Sequence, residues 1–388
     1  MTPNAAPPPR LAAGLALLLL LAAAACQGAA PRPAARPEPA EAHVFRDLAP
    51  SAAERTCAWY GDARDGVLYF GEAAFWSSTR AAGGDPTADL RRPGPRWIGR
   101  FDLAAQRFLP PLRVEAPDGG SGVWDVLAHP NGRIYFTSYF DDAGFVEPRS
   151  GETRLLPALG RGLNELALGP DGTLLASRYG APGSVLLFDP EGRPQAEHRL
   201  APPPGFRVAP KSVAYDPARH EIWVNTDLLP KAGGAVGHDA RVLDLAGREL
   251  LRIERPEVQF MHFAADGSGA LAELEGQRLS LRLLPPGTPG APRAAGRLVL
   301  LDDAFPAGLD FVQDVKPAPD GALLVTRWSG RIHRVTADGR VRTLDLPREE
   351  PDALYYTAVQ SDDRICATLC ADVEVVCRSL PRAPGDLR

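Results

Sequence analysis

Short apolar runs alternate with polar turns along most of this chain. Three copies of the pattern are clearest: WDVLAHPNGRIYFTS at 124–138, NELALGPDGTLLASR at 164–178 and QDVKPAPDGALLVTR at 313–327. Each consists of an apolar run, a turn rich in Pro, Asp, Asn or Gly, and a second apolar run. The runs are short and rich in β-branched and aromatic residues, which is typical of strands rather than helices. The pattern therefore predicts β-hairpins in series.

A second hairpin follows each of these pairs, closed on turns such as FDPEGR at 188–193 and TADGR at 336–340. Two hairpins in series make four antiparallel strands, which is the size of one blade of a β-propeller. Seven such units fit into residues 57–388, with a mean of roughly 47 residues each. We therefore predict an all-β fold, a propeller of seven four-stranded blades. Six blades with a divergent cap is the alternative.

The ends of the chain predict how the ring closes. The last unit supplies only three strands, while the segment HVFRDL at 43–48 stands before the first unit without a partner. An N-terminal strand that completed the last blade would remove the exposed edges of the ring. We expect this closure, and with it a single propeller domain over residues 43–388.

The first 26 residues have the pattern of an export signal. Arg10 precedes 15 apolar residues, Leu11 to Ala25, a run shorter than the ~20 residues that span a bilayer. It ends Ala23-Ala24-Ala25-Cys26, which resembles the lipobox of bacterial lipoproteins. In that family the cysteine is lipidated and becomes the mature N-terminus. The resemblance implies a lipid bilayer as partner, held by acyl chains on Cys26; an ordinary signal peptide is the alternative.

The residues after Cys26 suggest a tether and a destination. Residues 27–42 read QGAAPRPAARPEPAEA, a Pro/Ala-rich stretch too poor in apolar residues to build a core. Gln27 stands where lipoproteins kept at the inner membrane carry aspartate, so the resemblance implies the outer membrane more than the inner one. We expect an exported, lipid-anchored protein.

Composition narrows the function classes further. The chain has 388 residues with 40 prolines and 38 glycines, which disfavours long helices. Its formal charge is −5, so there is no electrostatic case for nucleic-acid binding. Nucleophile-elbow, Walker, dinucleotide-binding and zinc-protease motifs do not occur in the sequence.

Four cysteines remain after processing: Cys57, Cys366, Cys370 and Cys377. An even number in an exported protein suggests disulfides. If Ala371-Asp372 is a two-residue hairpin turn, then Cys366 and Cys377 face each other across two strands. Cys57 would open the first blade beside the last one, so a Cys57–Cys370 bond would join the ends of the ring. Buried free thiols are the alternative.

Candidate functional residues lie where the innermost strands begin and the second strands return. Both positions surround one mouth of the central channel. The inner-strand candidates are Trp124, Asp125, Asn164, Glu165, Lys211, His262 (with Met261 before it) and Asp314; the second-strand candidates are Glu72, Arg178, Tyr179, Arg327 and Trp328. Convergent polar groups with aromatic walls are typical of a small-molecule or sugar site.

Some of these side chains have two interpretations. Lys211 would pair across the channel with Asp125, Glu165 or Asp314, or alternatively bind an anionic ligand. His262 would be either a structural residue or an acid, base or ligand. Arg178 and Arg327 are suited to bidentate recognition of carboxylate or phosphate, or simply to the surface.

The repeats over most of residues 120–340 resemble those of three propeller groups: calcium-dependent lactonases of the senescence-marker/gluconolactonase type, NHL-repeat proteins, and streptogramin-lyase-type propellers. In the lactonase group the metal ligands are an early Glu and Asn or Asp before the inner strands. Asn164 matches such a position, whereas Lys211 stands where an acid or amide is expected. The early Glu-Gly-Pro motif is missing, and Glu72 substitutes for it poorly. The resemblance implies at most a Ca²⁺ site of Asn164, Asp125 and Asp314.

Two functions remain. The first is a binding scaffold that holds an unknown small molecule or protein at the top of the channel. The second is a metal-dependent lactonase-like or lyase-like enzyme acting on a lactone or cyclic ester, with Asn164, Asp125, Asp314 and His262 near its centre. Apart from that possible Ca²⁺, the sequence implies no cofactor, and it leaves open whether the protein is an enzyme.

Overall fold

The fold is given by a computed structural model that describes residues 42–47, 57–73, 96–114, 122–138, 141–180, 182–288, 296–306, 310–347, 353–370 and 373–380. The predicted export signal, Cys26 and residues 27–41 of the predicted tether lie outside these ranges. Within them, no helix is long and apolar enough to cross a membrane.

The strands form seven antiparallel sheets of four. Blade 1 contains β2 (Cys57–Arg64), β3 (Val67–Ala73), β4 (Arg96–Asp102) and β5 (Arg107–Val114). Blade 2 contains β6 (Val126–Ala128), β7 (Ile134–Phe136), β8 (Gly144–Val146) and β9 (Thr153–Leu155). Blade 3 contains β10 (Leu163–Leu168), β11 (Leu174–Arg178), β12 (Ser184–Phe188) and β13 (Pro194–Arg199). Short 3-10 turns at Pro157–Leu159 and Pro170–Gly172 are the helical elements of the described residues.

The remaining blades follow the same order. Blade 4 contains β14 (Phe206–Asp216), β15 (Glu221–Pro230), β16 (Gly237–Asp244) and β17 (Glu249–Ile253). Blade 5 contains β18 (Glu257–Phe263), β19 (Gly269–Glu275), β20 (Arg278–Leu284) and β21 (Arg297–Asp302). Blade 6 contains β22 (Val312–Pro317), β23 (Leu323–Arg327), β24 (Arg331–Val335) and β25 (Val341–Asp345). Blade 7 contains β26 (Leu354–Ser361), β27 (Arg364–Cys370), β28 (Val373–Ser379) and the N-terminal β1 (Ala42–Arg46).

The predicted all-β propeller of seven four-stranded blades is confirmed, and the six-blade alternative is wrong. The predicted closure is also confirmed. β1 is the outermost strand of blade 7 and runs antiparallel to β28, with Val44 opposite Val376. Both ends of the described chain therefore meet in one sheet, and the edge of β28 is covered.

Two disulfides fasten the same region. Cys57 of β2 is bonded to Cys370 of β27, and Cys366 is bonded to Cys377. The second pair lies directly opposite in the register of β27 and β28. Both predicted pairings are confirmed, and the free-thiol alternative is wrong.

The apolar core lies mainly between adjacent blades rather than in one central cluster. One such layer packs Leu175 and Val185 of blade 3 against Val213 and Ile222 of blade 4. Burial of both sheet faces explains why the strands are nearly continuous apolar runs. The centre of the ring is consequently left to the polar side chains of the innermost strands.

The innermost strands β2, β6, β10, β14, β18, β22 and β26 run from one end of the channel, here called the entrance, to the other, here called the exit. Most of them are interrupted near the entrance end. The pairing register shifts between Leu163 and Leu166 in β10, between Val258 and Phe260 in β18, and around Gln313 in β22. A bulge turns side chains out of the regular alternation, which brings polar residues of successive blades into the channel at this level.

The structure corrects one sequence-based placement. Met261 and His262 were expected at the entrance end of blade 5, but the bulge of β18 lies at Gln259. The turn after β18 closes on Ala264, as the turn after β22 closes on Ala318, which aligns Gln259 with Gln313. The irregular turn AADGSG shifted the sequence alignment by two residues, and His262 lies further towards the exit.

Candidate functional site

A side chain forms a hydrogen bond across each of the seven blade boundaries, from an innermost strand at six of them and from Asn225 on the second strand of blade 4 at the seventh. From blade 1 onwards these bonds are Ala128 N to Asp62 Oδ2 (3.0 Å), Leu166 N to Asp125 Oδ2 (2.8 Å), Asn164 Nδ2 to the Lys211 carbonyl (2.6 Å), Asn225 Nδ2 to the Gln259 carbonyl (2.8 Å), Val312 N to Gln259 Oε1 (3.1 Å), Thr357 Oγ1 to Asp314 Oδ2 (2.7 Å) and Gly61 N to Thr357 Oγ1 (3.0 Å). Several predicted site residues thus hold the ring together.

This arrangement bears on the Ca²⁺ site that the resemblance implied. Both carboxylate oxygens of Asp125 accept backbone N–H groups, from Val126 and Leu166. The Asn164 amide donates to the Lys211 carbonyl. Across the described ranges, no group of three or more His, Cys, Asp or Glu side chains is arranged to hold a metal ion. A hard divalent cation needs six or more oxygen ligands, and Asn164, Asp125 and Asp314 do not fit that requirement.

The exit half of the channel contains a cavity of about 240 Å³. Its polar lining consists of Tyr60, Asp62, Asp125, Glu165, His262, Asp314 and Lys316. Its apolar lining comes chiefly from Leu166, Leu168, Tyr215, Phe260, Met261 and Phe263. Acidic and apolar side chains therefore line the same cavity in the channel.

Burial changes the protonation of these acids. It raises the pKa of Asp125 to about 7 and also raises that of Asp314. Burial, followed by the charges of Asp125 and Asp314, raises the pKa of Glu165 well above its usual range. The same carboxylates outweigh desolvation at Lys316 and raise the pKa of its ammonium group. The exit half thus concentrates carboxyl groups around one lysine.

Lys316, rather than Lys211, is the lysine of this acidic cluster. Its Nζ lies 3.8 Å from Asp314 Oδ2, and the charges of Asp125 and Glu165 act on it as well. The sequence analysis missed it, although it follows Asp314 by two residues in the same strand copy and therefore shares its face. Lys211 was expected to pair with Asp125, Glu165 or Asp314; its charge acts on the Glu165 carboxyl, while the close contact with Asp314 is made by Lys316.

Lys211 lies at the entrance end instead, on β14. Its ammonium nitrogen is 5.8 Å from the centre of the Phe311 ring, and that ring packs edge-on against Trp328 with centroids 4.7 Å apart. The charge of Lys211 acts on the carboxyls of Glu165 and Asp227. Yet no side chain in the described part of the chain forms a hydrogen bond or ion pair with the half-buried ammonium group.

A hydrogen-bonded chain of side chains lies beside Lys211. The Tyr179 hydroxyl donates to Asp227 Oδ2 (3.1 Å), and His238 Nδ1 lies 3.0 Å from Asp227 Oδ1. The other imidazole nitrogen is 3.9 Å from a carboxylate oxygen of Glu257. Burial opposes protonation of His238, but the hydrogen bond and charge of Asp227 outweigh it and raise the pKa. Apart from Tyr179, the sequence analysis missed these residues, which belong to the long strands β15 and β16 and the start of β18.

The other predicted residues have structural contacts. Arg327 is buried and ion-paired with Asp302 (2.7 Å) and Asp310 (2.7 Å), so its charge is not available for a ligand. Arg178 donates to the Leu159 carbonyl at 2.6 Å.

Two further candidates pack within the blades, and one lies in the exit cavity. Glu72 is fully buried on β3, and the half-buried Trp124 packs against Trp59 with centroids 4.6 Å apart. His262 lies in the exit cavity, where burial lowers its pKa to about 4. It is therefore neutral at pH 7.

Comparison with known proteins shows which solved structures the fold resembles. No family model and no curated protein matches the chain. Among solved structures, a catalytically inactive histidine-to-alanine variant of virginiamycin B lyase from Staphylococcus aureus with quinupristin is 12% identical, covers 88% of this chain and 100% of its own, and has a TM-score of 0.57. A streptogramin B lyase structure is 13% identical, covers 87% and 97%, and has a TM-score of 0.55. The fold is thus a propeller similar to streptogramin B lyase, and likeness at this identity concerns the fold alone.

Proposed function

We propose that this protein is an exported, lipid-anchored propeller that binds a small anionic aromatic molecule at the entrance of its channel. The observation that carries the proposal is the ammonium group of Lys211. It is half-buried, and in the described ranges no side chain forms an ion pair or hydrogen bond with it. Leaving a cation partly desolvated without a partner is costly, and a bound carboxylate or phosphate would supply the partner.

The surroundings of Lys211 suggest the rest of the ligand. The rings of Phe311 and Trp328 form an apolar corner next to the ammonium group. On the other side, the Tyr179 hydroxyl and the His238 imidazole are held by Asp227. A flat ring with one acidic group would stack on the aromatic corner and place its charge at Lys211. This combination of an apolar wall with few polar groups is typical of small-molecule sites.

Calorimetric titration of residues 42–388 with benzoate and phenyl phosphate, and with neutral benzamide, tests the proposal. We expect both anions to bind, benzamide to bind more weakly, and Lys211→Met to abolish the preference for the anions. Lys231→Met is the matched control, because Lys231 is exposed just after β15. Equal binding of anions and benzamide, or anion binding unaffected by Lys211→Met, would contradict the site.

The anchor rests on the apolar run Leu11–Ala25 followed by Cys26. The two disulfides of the propeller suit an oxidising compartment outside the cytosol. Mass spectrometry of the mature N-terminal peptide should find acyl chains on Cys26, and Cys26→Ser should release the protein from membranes. If the outer membrane is the destination, Gln27→Asp should shift the protein to the inner membrane. An N-terminus without acyl chains would reject the anchor and leave the ligand site untouched.

A second candidate function is a lyase-like or lactonase-like reaction at the entrance. The Asp227–His238 pair favours it, because a carboxylate that orients an imidazole produces a general base or acid. Similarity to the fold of streptogramin B lyase adds weight. Because the described residues do not fit a metal site, the proposed reaction uses acid–base catalysis by side chains and no metal ion.

The two functions are separable by one assay. A lactone or cyclic depsipeptide, for example quinupristin, is incubated with the protein and its ring opening is followed by mass spectrometry. Elimination leaves the mass unchanged, whereas hydrolysis adds one water. Ring opening that His238→Ala removes and His220→Ala retains would favour the enzyme. An intact substrate that still displaces bound benzoate would favour the binding protein.

A further inference from the structure

We infer that the exit half of the channel is a second binding site, which takes a small organic cation: a primary ammonium ion on an apolar body, with the Glu165 carboxylate as its main partner. This goes beyond the proposed function, because it concerns the cavity that begins at Glu165 in the β10 bulge and extends towards the exit, and a ligand of opposite charge. The two sites are built from different side chains.

The first support is the state of Glu165. The residue is only 7% exposed and lines the cavity. Its backbone N–H donates to Ser177 Oγ, but over the described ranges no hydrogen bond or ion pair reaches its carboxylate oxygens. The other carboxylates of the cavity differ, because Asp62, Asp125 and Asp314 each accept a hydrogen bond from a neighbouring blade. Glu165 alone among these four presents its acid to the cavity without such a bond.

The second support is the balance of charge. Four carboxyl groups line the cavity, against the single ammonium group of Lys316. Lys316 lies nearest to Asp314, at 3.8 Å, and His262 is neutral at pH 7 because burial lowers its pKa to about 4. The raised pKa values of Asp125, Asp314 and Glu165 delay their ionisation to higher pH. Once these acids are ionised the cavity carries more negative than positive charge, and a second cation would offset it.

The third support is the rest of the wall, which selects the kind of cation. Phe260, Met261 and Phe263 of β18 line the cavity and would contact an apolar body. A volume of about 240 Å³ suits a ligand somewhat smaller than a drug-sized molecule. A divalent metal suits it less, since the described residues hold no group of three or more His, Cys, Asp or Glu side chains arranged to ligate one, and the repulsion from Lys316 is larger for a doubly charged ion than for a singly charged one. An ammonium ion needs fewer oxygen partners and tolerates an apolar surface.

Binding of the cation should be linked to proton release. Glu165 faces Asp125, Asp314, Lys211 and Lys316, and it also interacts with Tyr60. Burial and the two neighbouring acids raise its pKa well above the usual range, so the empty site keeps its proton to a higher pH than an exposed glutamate does. An ammonium ion favours the ionised carboxylate, and the proton must then leave for solvent. Affinity should consequently rise with pH until Glu165 is ionised without ligand.

The probes are benzylammonium and n-hexylammonium, with benzyl alcohol as the neutral counterpart, titrated calorimetrically at pH 6, 7 and 8. Measurements in two buffers of different ionisation heat report the protons released. We expect the ammonium ions to bind and release protons, with affinity rising with pH, and benzyl alcohol to show no pH dependence. Glu165→Gln should weaken ammonium binding about tenfold or more and remove the proton release. Glu275→Gln, at an exposed position at the end of β19, is the matched control.

Three results would overturn the inference. The first is absence of ammonium binding by the wild-type protein, and the second is ammonium binding that Glu165→Gln leaves unchanged. The third is displacement of the ammonium ion by stoichiometric Ca²⁺ or Mg²⁺, which would assign the cavity to a metal. Should Glu165→Gln not fold, the pH dependence and proton release of the wild-type protein decide the matter alone. Because benzoate and benzylammonium are separate probes, failure here leaves the entrance site standing, and the reverse also holds.

Discussion

Cys57 and Cys370 are bonded to each other across 313 residues of chain. The bond joins β2, the innermost strand of blade 1, to β27 of blade 7. It therefore crosses the one boundary of the ring at which the two ends of the chain meet. The β1–β28 pairing lies in blade 7 as well. The ring is therefore closed both by a disulfide and by hydrogen bonds between strands.

Replacing Cys57 and Cys370 together by alanine should lower the free energy of unfolding by about 2–4 kcal/mol, because a long loop in the unfolded chain is no longer constrained. Replacing Cys366 and Cys377 should cost less, since that bond closes a separation of only 11 residues. Urea unfolding of both double variants under non-reducing conditions measures the difference. Equal losses of unfolding free energy in the two double variants, or a larger loss for Cys366 and Cys377, would contradict a special contribution of the long-range bond to ring closure.

Deleting residues 42–47 should expose the edge of β28. An unpaired strand edge promotes association with other chains, and Val44 and Phe45 also pack against the core clusters of the last and first blades. We expect a lower melting temperature and concentration-dependent association in sedimentation experiments. A deletion that ends at residue 41 is the control and should remain monodisperse; identical behaviour of the two deletions would mean that β1 contributes little to closure.

Arg327→Met should be among the more damaging single changes at the entrance end. Its side chain is 3% exposed, and the buried Asp310 would be left without its ion-pair partner, while Asp302 would keep only a longer contact with Arg331 at 3.5 Å. Breaking a buried pair in this way costs about 3–5 kcal/mol. The comparison is Arg248→Met, where the Arg248–Asp244 pair is exposed and contributes little to stability. Thermal unfolding of both variants measures the difference, and similar losses would contradict the structural role of Arg327.

Asp125→Asn should flatten the dependence of stability on pH. In the folded protein burial raises the pKa of Asp125 from its ordinary value of 3.8 to about 7. Between these values the folded state holds a proton that the unfolded chain has released, so stability declines as pH rises and levels off above about 7. The slope from this group is at most about 1.4 kcal/mol per pH unit.

Chemical denaturation from pH 4 to pH 8 compares Asp125→Asn with the wild type. The difference in unfolding free energy between the two should shift steadily in favour of the variant as pH rises. Asp303→Asn is the control at an exposed position. A difference that stays constant over this range would mean that Asp125 is ionised throughout.

The fold was predictable because its signals are local and repeated. A strand, a turn with a residue at positive φ and a second strand recur along the ring, with Gly at that position in several blades, as Gly132, Gly172 and Gly321 illustrate. The pairing of Cys366 with Cys377 followed from the same alternation, since a two-residue turn fixes which residues face each other. Counting blades and cysteines required no knowledge of side-chain contacts.

The candidate site was only partly predictable, because it depends on details that repeats obscure. An irregular turn displaced the alignment of blade 5, and His262 was placed two residues from its true level. Lys316 was overlooked and Lys211 was expected beside the acids, since both lie on innermost strands and only the fold shows which of them faces the acids. Asp227 and His238 face each other where β15 and β16 extend beyond their usual length, and the longer connection at 231–236 does not fix the register of the pair as a two-residue turn does.

The hydrogen bonds across the blade boundaries make the blades non-interchangeable. At one boundary the Asp125 carboxylate accepts an N–H, whereas at the next the Asn164 amide donates to a carbonyl. A blade copied into another position would place hydrogen-bond acceptors opposite acceptors, or donors opposite donors, at its boundaries with the neighbouring blades. These contacts therefore fix the order of the blades as well as their number. Once they had formed, adding a blade by duplication would have required new hydrogen-bonding side chains in both blades next to the copy.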